Sequence, residues 1–166
     1  AKNRLNKQSI YKQEVDINSI VSSTAEIFIP MAAQKGISII IDGLDKELMG
    51  SVDIDMVKTI VRNLVSNAVK FSYEKGTITV STKTDGNFVI VSVKDSGKGI
   101  KAEDQGKLLK QNTHFTSYGT NNEKGSGLGL MLCKDFVEQL GGKLWFESEE
   151  GKGTTFYFSL KALNQE

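Results

Sequence analysis

The chain is poor in several residue types and patterns, and each scarcity excludes a class of protein. A single cysteine, Cys133, stands among 166 residues. It excludes an internal disulfide and fits a reducing compartment. The single histidine, His114, cannot build a zinc site with that one cysteine. No apolar run approaches the roughly 20 residues of a membrane-spanning helix, and no signal peptide is recognisable. Charge of one sign is also missing: 21 Lys and Arg against 20 Asp and Glu leave a formal net charge of +1. That balance gives no reason to expect a nucleic-acid or membrane surface. There is no internal repeat and no low-complexity segment. The phosphate-loop pattern G-x-x-x-x-G-K-[ST] does not occur, and no G-x-G-x-x-G follows a strand.

What is present is a globular composition. Hydrophobic residues make up 39% and charged residues 25%, and the length suits one domain with a sizeable core. The chain opens at Ala1 without an initiator methionine and is expected to be a piece of something longer. Residues 1–12 are polar and basic, and read as a linker or a frayed helix end. "EVDI" (14–17) reads as a short strand. Residues 17–34 carry apolar positions at helical spacing, with Pro30 predicting a kink. "GISIIID" (36–42) and "LMGSVD" (48–53) are extended. Asp53 has the composition of a helix cap, with a helix following to about Lys70. Residues 76–95 read as two alternating strands around a turn at Asp85-Gly86. Residues 96–124 are polar and weakly periodic, apart from a short helix near Glu103–Leu109. A second amphipathic helix then runs to Gly141-Gly142, where glycine is expected to stop it. Two strands, "KLWFES" and "GTTFYFSL", close the chain around a turn at 150–153. The expected fold is therefore α+β, a two-layer sandwich of three main helices on one mixed or antiparallel sheet. Its anomaly is a loop of nearly 30 residues, and loops that long are usually lids or disordered insertions.

Two places carry candidate chemistry. On a helical wheel with Met56 at 0°, Ile60, Phe71, Leu64, Val57, Ala68 and Val61 fall between roughly 40° and 140° and should face the sheet. Asn67 falls at about 20°, and Asn63 and Lys70 at about 340° and 320°, so two amides and an ammonium share one flank. From this helix alone two readings stand. The amides bond to backbone or water at the edge of the core, or they hold a hard cation while Lys70 meets an anion. The second place is glycine-rich. "DSGKGI" (95–100) sets an aspartate at the end of an apolar strand. "EKGSGLGLML" (123–132) puts glycines where a helix begins. Glycine disfavours a helix by about 1 kcal/mol relative to alanine. At a helix N-terminus, however, it clears side chains away from unpaired N–H groups that can hold an anion; the other reading of this stretch is a flexible hinge.

In order and spacing, "NLVSNAVKF", "DSGKGI", a long loop containing "HFTSYGT", and "GSGLGL" resemble the N box, first glycine box, lid and second glycine box of the ATP-binding catalytic domain of sensor histidine kinases. The resemblance covers residues 14–160 and implies the Bergerat ATP-binding fold, with residues 13–163 as the catalytic domain, a lid over about 101–124, and 164–166 as a tail. It implies that Asn67 binds Mg2+ and that Asn63 replaces the catalytic glutamate of ATP-hydrolysing relatives. Lys70 would contact phosphate, and Phe71 would pack at the adenine. Asp95 would accept from the adenine amino group in a pocket shaped by Gly97, Gly99 and Ile100. Gly125, Ser126, Gly127, Leu128 and Gly129 would cradle the phosphates. Phe115 is the candidate for the phenylalanine of the lid. The implied cofactors are ATP and Mg2+. The implied partners are a histidine-containing dimerisation domain of the parent chain and, downstream, the receiver domain of a response regulator. His114, in the lid, lacks the sequence context of the family's acceptor histidine. Residues 1–12 would be the tail of an absent dimerisation domain, this piece alone would be monomeric, and the setting would be cytoplasmic, whether or not the parent is anchored in a membrane. Two other readings are a nucleotide-binding regulatory module that transfers nothing, and a serine kinase of anti-sigma-factor type on the same fold.

Overall fold

The computed structural model describes residues 9–109 and 129–163. Five strands form a mixed sheet: β2 (Ser38–Asp42), β4 (Thr77–Asp85), β5 (Phe88–Asp95), β7 (Gly153–Lys161) and β6 (Leu144–Glu149), in that spatial order. Only β2 and β4 run parallel; the other three pairings are antiparallel. Alternation explains which face is buried. On β5 Val89, Val91 and Val93 point into the core, and on β7 Phe156, Phe158 and Leu160 do the same. On the opposite face Trp145 stacks on Tyr157 at 5.3 Å between ring centroids.

Helices cover the inner face. The longest, α3 (Ile54–Phe71), packs against β5 and lies between α1 (Ile17–Glu26) and α5 (Gly129–Gln139). This arrangement widens its buried surface beyond the arc expected from the helical wheel. Val65 and Val69 fall outside that arc yet are buried, because neighbouring helices cover α3 on its flanks. Phe71, expected to face the sheet, is only half-buried, because the helix ends there.

Two expectations need correction. Residues 17–34 form not one kinked helix but two, α1 and α2 (Ile29–Gln34). Pro30 sits in the first turn of α2, where its missing N–H costs no intrahelical bond. The first extended segments do not join the main sheet. Instead β1 (Gln13–Asp16) and β3 (Met49–Val52) pair antiparallel as a separate ribbon, and Ile17 already belongs to α1. Asp16 closes this corner: its carboxylate accepts from Asn18 N–H at 3.1 Å and from Leu48 N–H at 3.0 Å. Buried Asn18 is satisfied in turn, donating to Lys46 O at 2.8 Å and accepting from the Thr82 hydroxyl at 2.7 Å. The short helix expected near 103–109 is the single turn α4 (Ala102–Gln105).

Asp53 is the expected N-cap of α3. One carboxylate oxygen accepts from Met56 N–H at 3.2 Å and the other from Tyr11 N–H at 2.9 Å, joining the helix start to the incoming chain. Loss of a cap side chain typically costs about 1 kcal/mol, and here a second backbone donor is orphaned as well. Asp53→Ala is therefore expected to lower the unfolding free energy by about 1–2 kcal/mol. Urea unfolding would show this as a lower midpoint at unchanged slope. A midpoint equal to that of the native chain would show that neither bond matters to the fold.

Candidate nucleotide-binding site

A cavity of about 640 Å³ opens between the C-terminal half of α3, the loop after β5, the start of α5 and the β6–β7 turn. Its architecture begins with backbone accounting at the end of α3. The last four carbonyls of a helix lack intrahelical donors, and here each finds one. The Ser72 hydroxyl donates to Ala68 O at 2.7 Å. The Lys35 ammonium donates to Val69 O and Lys70 O, both at 2.9 Å. Lys98 N–H donates to Phe71 O at 3.1 Å. That last bond joins the helix to the loop after β5, and its closeness requires glycine: a Cβ on Gly97 would collide with the Phe71 carbonyl. Gly99 has φ +70° and packs on the Glu149 carbonyl, so it too has no room for a side chain. The loop is further held by Gly151 N–H to Lys98 O at 2.7 Å and by Ile100 N–H to the Ser148 hydroxyl at 2.9 Å.

Asp95 ends β5 on the core side of the sheet and is 6% exposed. Its Oδ1 accepts from Gly97 N–H at 2.9 Å and from Thr154 N–H at 3.3 Å. Oδ2 takes neither bond, which leaves it for a donor in the cavity that Asp95 lines. Burial pushes the carboxyl up to about 6, and the two backbone donors hold it back from rising further. A partly desolvated carboxylate with one oxygen engaged and the other open suits a ligand's amino group.

Opposite, Asn63 donates its Nδ2 to Thr59 O at 2.9 Å within its own helix. Its Oδ1 lies toward α5, where a Cβ on Gly129 would come within 2.6 Å of it. Asn67, one turn on, lines the same wall and makes no side-chain hydrogen bond among the described residues. The described residues contain no cluster of three His, Cys, Asp or Glu side chains suited to a metal. A divalent cation here would rest on the Asn67 amide oxygen and on oxygens of the ligand, which fits a hard ion that keeps its waters. Between these walls the Phe71 ring has two cations over it, Lys70 Nζ at 4.8 Å and Lys98 Nζ at 5.5 Å from its centroid.

The cavity thus brings together Asn63, Asn67, Lys70, Phe71, Asp95, Gly99, Ile100 and Gly129 from the residues singled out in the sequence. Gly97 does not reach it; it serves behind the wall, against the end of α3. Phe115, Gly125, Ser126, Gly127 and Leu128 lie outside the described residues, as does His114. Lys98, Tyr73 and Thr154 also line the cavity and were missed. Lys98 had a legible signal, as the one side chain between two glycines. Thr154 had none, because its place opposite Asp95 is set by strand register.

The pattern of the family described as "Histidine kinase-, DNA gyrase B-, and HSP90-like ATPase" matches residues 52–164. The chain is 36% identical over 154 residues to the sensor protein EvgS of Escherichia coli (strain K12), covering 89% of this chain and 13% of that one. It is 36% identical over 118 residues to the sensor histidine kinase WalK of Bacillus subtilis (strain 168), covering 70% and 19%. Among solved structures it matches full-length ShkA in complex with AMPPNP with a TM-score of 0.79 at 26% identity, covering 95% of this chain and 32% of that one. It matches the nucleotide-free catalytic domain of the histidine kinase ThkA with a TM-score of 0.74 at 27% identity, covering 91% and 97%. The chain therefore spans a small part of the two sensor proteins and nearly all of the ThkA domain. These neighbours carry the Bergerat fold expected from the sequence.

Asp95 also sets a pH dependence. Its folded pKa of about 6 lies above the ordinary 3.8, so the native state holds the proton more tightly than the unfolded state does. Its contribution to stability is full below pH 4 and is lost as pH rises to about 6. The loss amounts to about 3 kcal/mol. Chemical unfolding of the native chain and of Asp95→Asn across pH 4–7 should give a stability difference that shifts in the variant's favour as pH rises. A difference independent of pH would show that the carboxyl titrates normally.

Proposed function

The chain belongs to the histidine kinase-, DNA gyrase B- and HSP90-like ATPase family, and from that premise we propose that it is the ATP-binding catalytic domain of a sensor histidine kinase. The observation that carries the reading is the buried Asp95 carboxylate, whose Oδ2 takes neither backbone bond, in a cavity that Asn67, Lys70 and Gly129 also line. That set has an acceptor for an amino group in Asp95 and a cation for an anion in Lys70. ATP matches both. Asp95 accepts from the adenine amino group, Ile100 and Phe71 border the base, and Lys70 with residues 125–129 takes the phosphates. Bound magnesium, held through Asn67, would supply charge neutralisation on the phosphates.

The reaction assigned to the site is transfer of the terminal phosphoryl group of ATP to a histidine on the dimerisation domain of the parent protein, from which a response regulator would then receive it. Phosphoryl transfer depends chiefly on positioning and charge stabilisation. Asn63 stands where the ATP-hydrolysing relatives have a glutamate, so the site has no carboxylate there to activate water. An imidazole nitrogen is nucleophilic as it stands and needs no such base. No helix among the described residues is long and apolar enough to cross a membrane, and a cytoplasmic setting follows from the proposed supply of ATP.

A carboxylate accepts from adenine's amino group and repels guanine's carbonyl oxygen. Calorimetry should show ATP bound well above GTP, and Asp95→Asn should lose at least tenfold in ATP affinity, or about 1.4 kcal/mol. Equal binding of ATP and GTP by the native chain would refute the adenine assignment. Asn67→Ala should keep the fold and lose the dependence of ATP binding on magnesium. Mixed with the separately produced dimerisation domain of its parent and labelled ATP, the chain should place an acid-labile, base-stable label on that domain. Label on the chain itself, abolished by His114→Ala, would move the acceptor into the lid. A folded partner that stays unlabelled would favour a module that binds nucleotide and transfers nothing.

A further inference from the structure

We infer that Gln105 is a positioning residue for the base pocket: it stands behind the cavity wall and, through two hydrogen bonds, sets where Ile100 and the α4 turn lie. The inference rests on the adenine-nucleotide reading of this cavity and adds a residue to it. α4 cannot hold itself in place. It is a single turn of four residues, and so short a helix does not recover the entropy of its own nucleation. No side chain among the described residues caps its start at Lys101. Yet this segment supplies Lys101, Asp104 and Leu108 to the cavity, while Gln105 is not among the described residues that line it. Leu108 is anchored in the apolar core, and the polar tie is the Gln105 amide. Its Nε2 donates to Ile100 O at 2.9 Å and to Ser148 O on β6 at 3.1 Å.

Both backbone groups of Ile100 are therefore tied to β6. Its N–H donates to the Ser148 hydroxyl at 2.9 Å, and its carbonyl is bridged to the Ser148 carbonyl by Gln105. Ser148 also reaches toward the other side of the pocket. Its hydroxyl shares a bond of 2.7 Å with that of Thr154, whose N–H donates to Asp95 Oδ1 at 3.3 Å. One strand residue thus registers Ile100 and α4 against the carboxylate that accepts from the base. The two partners of Gln105 also dictate its chemistry. Both are carbonyl oxygens, so only a group with two hydrogens to give satisfies them. An oxygen in the same place would repel both and leave them without a donor.

The test measures adenosine binding by calorimetry on the native chain, Gln105→Met, Gln105→Glu and Gln105→Lys. Adenosine is neutral, so the charges of the variants do not act on it as they would on ATP. Methionine keeps an unbranched stem without a donor. Glutamate keeps the shape but turns acceptors toward two carbonyls, and lysine, one atom longer, restores donors. Adenosine affinity should fall about fivefold in Gln105→Met, as for one lost hydrogen bond, and at least about tenfold in Gln105→Glu. It should stay within about twofold of native in Gln105→Lys. Lost packing alone would not produce that order. ATP should weaken by the same factor as adenosine in Gln105→Met, because the phosphates are held elsewhere. Unchanged adenosine affinity in Gln105→Met and Gln105→Glu, whatever the urea midpoint, would overturn this inference while leaving the adenine site standing. Equal loss in all three variants would point to packing rather than donation and overturn it as well. A native chain that binds neither adenosine nor ATP would overturn the nucleotide reading itself, and with it the role of Gln105.

Discussion

The contact on which the site depends is between two stretches of backbone, the end of α3 and the loop after β5. Phe71 O accepts Lys98 N–H, and Gly97 lets the chains approach until no Cβ could stand between them. A side chain at position 97 would separate the helix from the loop, and most of the cavity wall hangs on that pair. Lys70, Phe71 and Tyr73 come from the helix side, and Asp95, Lys98, Gly99 and Ile100 from the strand side. The two sides reach this point from different layers of the sandwich, so the cavity lies where the layers meet at one end.

The same junction fixes the electrostatics. Asp95 stands at the end of a strand whose preceding inward residues are valines, and desolvation raises its pKa. Two backbone donors hold the ionised form in place on one oxygen, and the other oxygen is kept for the cavity. Near pH 7 the carboxyl is ionised in an environment that opposes ionisation, which is a cost in stability carried by the folded chain. A ligand amino group would offset part of that cost on arrival, so the strain favours binding.

Much of this was legible because the informative residues are local. The Asp53 cap, the β4–β5 and β6–β7 hairpins and the apolar stripe of α3 each follow from neighbours in the sequence. So does the shared flank of Asn63, Asn67 and Lys70, since helical spacing alone places it. What escaped reading is set by distant partners. The β1–β3 ribbon separates from the main sheet because β2 instead pairs parallel with β4, a choice no local pattern reveals. Burial of Val65 and Val69 needs the helices packed on the flanks of α3. The two helices at 17–34 look like one because apolar residues recur at helical spacing across both, and Pro30 suits a helix start as well as a kink. Thr154 reaches Asp95 through the register of β5 and β7, which brings together residues 59 positions apart.

An anion site beside the end of α3 has to answer to the dipole of that helix. An 18-residue helix carries roughly half a negative charge at its C-terminus, and Lys70 and Phe71 belong to its last turn. Left bare, the terminal carbonyls would oppose any phosphate brought near them. The chain neutralises that end from outside the helix. Lys35, just past α2, sets its ammonium on Val69 O and Lys70 O, while Ser72 and Lys98 N–H take the carbonyls on either side. With its carbonyls occupied, the end of α3 presents to the cavity the ammonium of Lys70 and the ring of Phe71. On the α5 side, Gly129 and Leu130 line the same cavity. With the carbonyl end of α3 engaged by Lys35, Ser72 and Lys98, the helix that contributes Lys70 no longer opposes a negatively charged ligand beside it.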